Sequence, residues 1–459
     1  MTTQPPSTKL LVHGATLLTV DPQRPDPFVG WFAVGTDGRL TAVEAGEPSA
    51  EQLAGAADTL DATGTIIGPG FVSAHSHLFT SGSRGLGMDE TLYGWIEAML
   101  RYVMPATPAD MYWCTRHGAQ DFLRNGITTA YDFTDGGLQF DKTIASFGDR
   151  LPSLERQDAQ LRAKLDAGLR SLHSVMLAQG DVPRADALAH VEDTVKAAAD
   201  ADPALLLGVA VSGAVQWAPT PDTAALETEV MREHGLVNQA HFLETAEMLE
   251  LQRSKFAWYA ESGALSPQLV FGHFIQTTPE IIATAAAAGC AMSWQPMSNG
   301  RLASGVAAIP EMRAAGMRIG MGLDDQSCTD VSDPWNNMRT GIAMVRAQYK
   351  DPLAAPVGDV LVMHTRGGAE ALGVDDRVGS LRVGRFADFC VVDPRRPDTG
   401  PVWDAVGTYV LACSLRNLRS VWVGGEPVAH GADLADPQAA EVESQVHERL
   451  ARIAADLGR

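Results

Sequence analysis

The sequence lacks the features by which several large protein classes are recognised. Its five cysteines form no CxxC pair, which argues against zinc ribbons and redox motifs and is typical of a reducing cytoplasm. No apolar run is long enough to cross a membrane, no secretory signal core follows the polar start, and no solenoid-type repeat is present. Acidic residues outnumber basic ones by 56 to 35, and the resulting net charge of −21 argues against nucleic acid or an anionic membrane as a partner.

What is present suits a large core, because 45% of the 459 residues are apolar. Both ends of the chain are rich in β-branched residues and turns, so we expect one small β-sandwich built from the two termini. The predicted strands are Leu10–Val20, Gly30–Val43 with a turn at Thr36-Asp37-Gly38, Thr59–Ile67, Gly379–Val392 and Leu418–Val428. A polar amphipathic helix is predicted over Pro437–Leu457.

The middle of the chain alternates strand and helix patterns. Glycines stand between a helix and the next strand at Gly126, Gly168, Gly235, Gly289 and Gly316, where the left-handed cap of a helix belongs. The eight predicted strands are Phe71–His77, Ile127–Phe133, Arg170–Leu177, Leu205–Ser212, Leu236–Leu243, Leu269–Gln276, Ala291–Pro296 and Arg318–Asp325. The helices between them include Pro108–Asn125, Arg184–Asp200, Pro279–Ala288 and Val306–Ala315.

This alternation predicts an α/β protein with a (β/α)8 TIM-like barrel, whose site lies at the C-terminal strand ends. A doubly wound open sheet is the alternative, which no GxGxxG or Walker loop supports. We expect residues 1–69 and 372–459 to form the β-sandwich, with the terminal helix, and residues 70–371 to form the barrel.

The strongest chemical signal is His75-Ser76-His77 at the end of the first core strand. Residues two apart on a strand share a face, so both imidazoles point the same way, about 6–7 Å apart along the strand. That arrangement suits two ligands of one metal. Taken alone, the pattern also fits two unrelated polar residues at a strand end.

Other predicted strands end in residues of the same chemistry. His241, His273 and Asp324 lie at C-terminal strand ends, so four of the twelve histidines fall on the expected functional rim. Three imidazoles and one carboxylate suit zinc, with iron or manganese possible. A metal held in this way lowers the pKa of bound water from ~15.7 towards ~7 and yields metal-bound hydroxide at neutral pH.

Two further residues have two interpretations each. Glu244, three residues after His241, is either the proton carrier of the reaction or a charge at a helix N-terminus; its position after a strand favours catalysis. His173, on the third predicted strand, either faces the site or is a satisfied core histidine.

Residues 68–77, GPGFVSAHSH, are similar to a PGFVNAHTH signature, and residues 296–305, PMSNGRLASG, to a PxSNxxLASG segment. In these motifs the chain resembles the amidohydrolase superfamily, in its metal-dependent aminohydrolase and chlorohydrolase branch. Arg84-Gly85-Leu86 with Trp95, and the segments GSL at 379–381, GR at 384–385, AD at 387–388 and VWVGG at 421–425, also resemble that branch. The similarity extends over nearly the whole chain.

The resemblance implies a barrel with a terminal β-sandwich, and a homo-oligomer. It implies that His75, His77, His241 and Asp324 bind one divalent metal, with Asp324 also part of the catalytic set. Glu244 would shuttle protons, and His273 would hydrogen-bond the attacking water or the developing oxygen. The bridging lysine of two-metal relatives has no counterpart on the fourth strand, which favours a single metal.

The chain also departs from the branch. Strand eight reads Gly322-Leu323-Asp324-Asp325-Gln326 instead of Gly-Thr-Asp-Gly, Gln295 precedes the PxSN segment, and residues 215–219 read VQWAP instead of a Pro-His-Ala-Pro type. Trp95, His173, Gln216 and Trp217 are therefore the candidate substrate-binding residues, because Gln pairs with a ring edge and Trp stacks on it. Packing is their alternative role.

The predicted function is hydrolytic deamination of an amino-substituted N-heterocycle: a purine, pterin, pyrimidine or triazine. One alternative keeps the site and changes the leaving group to chloride or an alkylamine, as in triazine hydrolases. A second alternative is a non-catalytic binding protein on the same fold, which predicts missing ligands. We expect a small heterocyclic molecule as the partner, with no nucleic acid and no membrane, in the cytoplasm.

Overall fold

The N-terminal strands pair through the apolar residues that alternate along them. In the computed structural model, residues 8–147, 150–177 and 182–458 are described, apart from the side chain of Asp325. The first strands are β1 (Thr8–Leu17), β2 (Phe28–Gly35), β3 (Leu40–Ala45), β4 (Ala56–Asp61) and β5 (Ile66–Pro69). The predicted strand Thr59–Ile67 is divided into β4 and β5, because Thr63 donates from its backbone and its hydroxyl to Asp61 Oδ1 in a turn.

Buried parallel strands alternate with helices through the middle of the chain. They form one sheet in the order β15-β14-β13-β12-β11-β10-β7-β6-β16, and β8 and β9 form a separate hairpin. The strands are β6 (Phe71–His77), β7 (Ile127–Asp132), β8 (Phe140–Asp141), β9 (Ser146–Phe147), β10 (Arg170–Met176), β11 (Leu206–Gly213), β12 (Val237–Phe242), β13 (Leu269–His273), β14 (Ala291–Trp294), β15 (Arg318–Met321) and β16 (Asp324–Asp325). The eight predicted barrel strands are confirmed, most with shorter ends.

The barrel closes at a break in its eighth strand. β15 pairs with β14, and the chain then crosses Gly322 and Leu323 before β16 pairs in parallel with β6, opposite Ser76 and His77. A Cβ atom on Gly322 would lie 2.6 Å from His75 Cβ and 2.7 Å from its backbone nitrogen. Only glycine allows this close approach, so the residue brings the end of the eighth strand against the first.

The C-terminal strands complete the first sheet. They are β17 (Phe389–Val392), β18 (Leu418–Val423), β19 (Glu426–His430) and β20 (Asp433–Leu434). Antiparallel pairing of β17 with β5 joins the two ends of the chain in a mixed sheet ordered β20-β19-β18-β17-β5-β1-β2-β3, with β4 on β1. The predicted strand Gly379–Val392 shortens to β17, because Gly379 and Gly384 take left-handed φ angles that interrupt an extended chain.

Helices cover the barrel. Several begin at a proline or a capping Ser, Thr or Asp, and several end at a glycine. Their bounds are α1 (Ala50–Gly55), α2 (Leu92–Val103), α3 (Pro108–Arg124), α4 (Leu154–Ala167), α5 (Arg184–Ala198), α6 (Asp222–His234), α7 (Leu249–Ser254), α8 (Phe256–Ser262), α9 (Pro279–Ala287), α10 (Pro296–Arg301), α11 (Ile309–Ala314), α12 (Pro334–Tyr349), α13 (Val357–Met363), α14 (Arg366–Ala371), α15 (Ala405–Gly407) and α16 (Ala439–Asp456). In the part of the chain that the structure describes, no helix has the length and apolar character needed to cross a membrane.

The glycines predicted at helix ends have the expected backbone. The φ angles of Gly126, Gly168, Gly235, Gly289 and Gly316 lie between 66° and 91°. Because side-chain-bearing residues rarely adopt this conformation, glycine stops each helix and turns the chain into the next strand. These turns set the strands in parallel, so that their C-terminal ends meet at one rim.

Candidate metal centre

The polar side chains at the rim come from four different parts of the barrel. His75 and His77 lie on β6, His241 on β12, His273 at the end of β13 and Asp324 on β16, the last part of the broken eighth strand. All five are at C-terminal strand ends, the position at which barrel enzymes carry their sites. Residues far apart in the sequence therefore converge because the strands are parallel and adjacent.

Three ring nitrogens and one carboxylate oxygen face a common point. His77 Nε2 lies 3.2 Å from His75 Nε2 and 3.1 Å from His241 Nε2. Asp324 Oδ1 lies 3.3 Å from His75 Nε2 and 3.7 Å from His77 Nε2. Two ligands that each lie about 2.0–2.1 Å from one zinc ion at a near-tetrahedral angle are about 3.3 Å apart. The donor set and its spacing therefore fit a single metal ion.

A hydrogen bond orients the His75 ring. Nδ1–H of His75 donates to Gln239 Oε1 at 2.5 Å, and Gln239 Nε2 donates to the backbone oxygen of Ala74 at 2.7 Å. With its proton held on Nδ1, the ring turns the Nε2 lone pair towards the other ligands. Gln239 precedes His241 by two residues on β12, so both side chains lie on one face of the strand.

The protonation states suit a bound cation. Burial and the neighbouring His75 ring lower the pKa of His77 to about 3, and burial lowers the pKa of His241 well below its usual value. Burial alone would raise the pKa of Asp324, but the surrounding histidines, His273 first, hold it well below its usual value. Neutral imidazoles and an ionised carboxylate are the forms in which these residues bind metals.

Glu244 and His273 lie beside the ligand cluster. His273 Nε2 is 3.5 Å from Glu244 Oε2 and 3.8 Å from Asp324 Oδ2. Asn299 Nδ2 lies 2.9 Å from His273 Nδ1, and donation from the amide leaves the ring proton on Nε2, towards the site. Burial, followed by the charges of Asp324 and Glu247, raises the pKa of Glu244 well above its usual value.

His75, His241, His273 and Asp324 also offer ligand atoms that lie within 4.8 Å of one another. The nitrogen of His77 approaches the other ligands more closely than that of His273, and His273 Nε2 lies nearer to Glu244 than to Asp324. We therefore keep His77 as the proposed ligand and His273 as a hydrogen-bonding group. The backbones of His273 and Asp324 both have φ of 65°, a strained conformation of the kind that concentrates at functional sites.

A cavity opens above the cluster and includes two of the predicted substrate-binding residues. Trp95 and Trp217 line it together with His77, His241, Glu244, His273 and Asp324. The Trp217 ring centroid is 6.4 Å from that of His241, and the indole N–H of Trp95 donates to the backbone oxygen of Ser327 at 3.3 Å. Both indole side chains therefore form part of the cavity wall, where the sequence placed substrate-binding candidates.

The other two predicted substrate-binding residues lie elsewhere among the described residues. His173 is buried with its Nδ1 2.9 Å from Lys164 Nζ, on the side of β10 that faces helix α4. Gln216 is buried outside the cavity lining, and its backbone oxygen accepts a hydrogen bond from Lys255 Nζ at 2.6 Å. A shift of one residue along a strand reverses the direction in which a side chain points. The sequence pattern did not determine the side-chain direction for His173 or Gln216.

Three residues near the cluster were not singled out from the sequence. Gln239 hydrogen-bonds the His75 ring and Asn299 the His273 ring, and Phe133 stacks on the His77 ring at 4.8 Å with an interplanar angle of 13°. The alternation on β12, which places Gln239 on the face of His241, was a signal available in the sequence. Asn299 lies in the PxSN motif, which marked the segment but not its contact with His273. Phe133 depends on a contact between distant segments, for which the sequence pattern gave no signal.

The hydrogen bond from His75 to Gln239 makes a measurable prediction. Gln239→Leu removes the acceptor, so we expect the metal affinity to fall by about 10–100-fold. Gln239→Glu keeps the acceptor for His75 but loses the donor to the Ala74 backbone oxygen, so it isolates the acceptor and should bind metal more tightly than the leucine variant. Chelator competition measures both. An unchanged affinity in the leucine variant would show that the ring needs no such support.

The chain is similar to known proteins over nearly its whole length. Residues 66–428 match the model of the amidohydrolase family. A 5-methylthioadenosine/S-adenosylhomocysteine deaminase from Syntrophobacter fumaroxidans is 28% identical over 452 residues, which cover 95% of this chain and 96% of that relative. The match therefore includes the terminal sheet as well as the barrel.

Solved structures share the same architecture. An adenosine deaminase from Xanthomonas campestris with bound zinc has a TM-score of 0.86 at 22% identity, covering 98% of this chain and 100% of that one. An atrazine chlorohydrolase from Arthrobacter aurescens complexed with zinc has a TM-score of 0.81 at 21% identity, covering 96% and 100%. These similarities confirm the predicted fold class, a barrel with a sheet from both termini.

Proposed function

The chain belongs to the amidohydrolase family, and on that premise we propose that it is a metal-dependent hydrolytic deaminase. Its substrate is an amino-substituted N-heterocycle: a purine, pterin, pyrimidine or triazine. The observation that carries the proposal is the convergence of three imidazole nitrogens and Asp324 beside Glu244 in the wall of one cavity. Full-length relatives that bear the names of adenosine-type deaminases support it.

The proposed cofactor is one divalent metal, held by His75, His77, His241 and Asp324. Zinc is the first choice, because imidazole and carboxylate ligands suit it and two structural neighbours were solved with zinc; iron is the alternative. When bound, the metal acts as a Lewis acid that lowers the pKa of a water at its open position.

The chain's own residues move the protons. We propose that the Glu244 carboxylate takes a proton from the attacking water and passes it to the departing amino group, so that the carbon–nitrogen bond breaks and ammonia leaves. His273 donates from Nε2 to the attacking water or to the oxygen that forms on the ring carbon. Asn299 on its Nδ1 keeps the ring in the tautomer that this donation needs.

A different leaving group is the second candidate function. The fold is shared with an atrazine chlorohydrolase, and the cavity beyond the metal ligands is largely apolar. The same residues would then act on a ring carbon that bears chloride or an alkylamine. The proton carrier is present in both cases, so the pocket decides the leaving group.

The first experiment measures bound metal per chain by elemental analysis, together with ammonia release from aminated purines, pterins, pyrimidines and triazines. About one zinc or iron per chain with ammonia released is the expected result. One metal with chloride or alkylamine release in place of ammonia would move the assignment to the second candidate. A protein that holds no metal even after reconstitution would refute the ligand assignment.

Three broader proposals accompany this function. We propose domain boundaries between residues 69 and 70 and between residues 371 and 372, because β5 ends at Pro69, β6 begins at Phe71 and α14 ends at Ala371.

Cytoplasmic location is proposed because the five cysteines are free and buried. Assembly as a homo-oligomer is proposed from the family resemblance, and mass measurement in solution tests it.

A further inference from the structure

Beyond the metal ligands, the cavity wall is built mainly from apolar side chains. One face of helix α2 contributes Leu92, Ile96 and Met99, and Phe147 and Met176 come from other segments. Apolar side chains favour apolar substituents on a ligand and provide no partner for hydroxyl groups. The part of the substrate that lies away from the metal is therefore largely apolar.

Polar side chains are few in this part of the wall, namely Thr134, Asp135 and Ser212. The Thr134 hydroxyl donates to the backbone oxygen of Ser174 at 2.9 Å, so its proton is already engaged. Ser212 carries a neutral hydroxyl that both donates and accepts. Among the described lining residues away from the proposed metal ligands and Glu244, Asp135 is the one carboxylate, and an ionised carboxylate accepts hydrogen bonds without donating any.

The two oxygens of Asp135 have different surroundings. Oδ2 accepts hydrogen bonds from Arg156 Nε at 2.8 Å, from Arg156 Nη2 and from the backbone nitrogen of Gly137 at 3.1 Å. Among the described residues, none donates to Oδ1, which is also not one of the buried polar atoms without a partner. Asp135 is 7% exposed and lies in the cavity wall, so this is where Oδ1 remains accessible.

The carboxylate is held in place by its surroundings. The Asp135 backbone donates to Gln160 Oε1 at 3.0 Å and accepts from Gln160 Nε2 at 2.8 Å. Arg156 also donates to the backbone oxygens of Val103, the last residue of helix α2, at 3.0 Å, and of Ala106, in the loop that follows. One guanidinium therefore links the Asp135 carboxylate to the helix that covers the cavity, and the free oxygen has a defined direction.

We propose that Asp135 is a specificity-determining residue that accepts a hydrogen bond from a neutral N–H or O–H of the substrate. This inference rests on the proposed deaminase function and narrows its substrate class. The substrate is an amino-substituted heterocycle with apolar substituents and one further donor group directed at Asp135 Oδ1. Arg156 already neutralises the carboxylate, so a neutral donor fits better than a second cation.

The test uses the panel of aminated purines, pterins, pyrimidines and triazines. On the best substrate, each N–H is methylated and each O–H is replaced by hydrogen in turn, leaving the departing amino group intact. In the wild type, one of these changes is expected to lower kcat/KM by about 10–100-fold, because it leaves a buried carboxylate oxygen without a partner.

The Asp135→Asn variant should lose this discrimination. Its amide oxygen stays with the donors Arg156 and Gly137, which turns the amide nitrogen towards the cavity. An acceptor then becomes a donor, so the ratio of kcat/KM between the donor-bearing substrate and its analogue should fall to about one or reverse. A merely structural role would lower both values by the same factor and leave the ratio unchanged.

Asp388→Asn is the matched control. It breaks another buried pair, in which Asp388 accepts from Arg170 Nε at 2.7 Å and from Nη2 at 3.0 Å, outside the cavity lining. Its discrimination ratio should equal that of the wild type, whatever its stability.

The outcomes separate the two proposals. No ammonia from any ring of the panel would refute the deaminase function. The role of Asp135 alone would be overturned by either of two results. In the first, the wild type releases ammonia with the same kcat/KM whichever N–H or O–H is changed. In the second, the kcat/KM ratio between substrate and analogue is the same in Asp135→Asn as in the wild type. The wild-type arm can still overturn the role of Asp135 if the Asp135→Asn protein does not fold.

Discussion

Replacement of His241 by alanine is expected to leave a folded chain that binds no catalytic metal and has almost no activity. The His241 imidazole Nε2 lies 3.1 Å from that of His77, and its loss leaves a divalent ion with too few protein ligands. Several kcal/mol of transition-state stabilisation would be lost, so we expect kcat to fall by about three orders of magnitude or more. Bound metal should fall from about one per chain to near zero.

Thermal unfolding supplies a second measurement of the same site. Metal binds the folded state, so zinc should raise the Tm of the wild type and a chelator should lower it. Neither addition should change the Tm of His241→Ala. His190→Ala, a buried histidine on helix α5, is the matched control and should keep both metal and zinc response. Full metal occupancy in His241→Ala would contradict the assignment of this ligand.

Replacement of Glu244 by glutamine is expected to separate catalysis from metal binding. The substitution keeps the volume of a side chain that is 1% exposed and removes its ability to carry a proton. We expect kcat to fall by about 10²–10⁴-fold while metal content stays at the wild-type level. The free energy of unfolding should stay the same or rise, because a buried carboxylate oxygen without a hydrogen-bond partner is replaced by a neutral amide.

Glu227→Gln makes the same change at a second fully buried position. Glu227 lies outside the cavity lining and accepts hydrogen bonds from the Ala214 backbone nitrogen at 2.6 Å and from Asn238 Nδ2 at 2.7 Å. The kcat of Glu227→Gln should stay within a few-fold of the wild type. That result would show that a Glu-to-Gln change lowers the rate at position 244 and not at buried glutamates in general. If Glu244→Gln kept most of the wild-type kcat, the proton carrier would have to be another group.

The placement of the candidate metal ligands at strand ends could be predicted because it depends on local rules. Side chains two apart on a strand share a face, which placed His75 and His77 together. Glycine at a helix end marks the start of the next strand, which located the strand ends that carry His241 and Asp324. Neither rule requires knowledge of any distant residue. The choice of His241 rather than His273 as a ligand came from the family resemblance and stays a prediction.

The direction of a single side chain was harder to predict. His173 stands on a correctly predicted strand, yet its ring contacts Lys164 near helix α4. Neighbouring residues on a strand point to opposite faces of the sheet. A buried histidine is compatible with the barrel interior, where it can bind a metal, and with the helix-covered face, where it can contact a buried lysine. Asp135 was missed for a related reason, since its partner Arg156 lies 21 residues away on a helix.

By itself, the sequence determined the order of strands and helices and the strand ends that carry the candidate metal ligands, because periodicity and turn chemistry act over a few residues. The prediction that both termini share one sheet came from the β-rich composition of the two ends and not from a local rule. The tertiary structure alone decided how the eighth strand breaks at Gly322 to close on β6, which side chains orient the ligands, and which polar group faces the apolar cavity. Those features depend on contacts between segments that are far apart in the chain, and only packing of the whole fold brings such segments within hydrogen-bond distance.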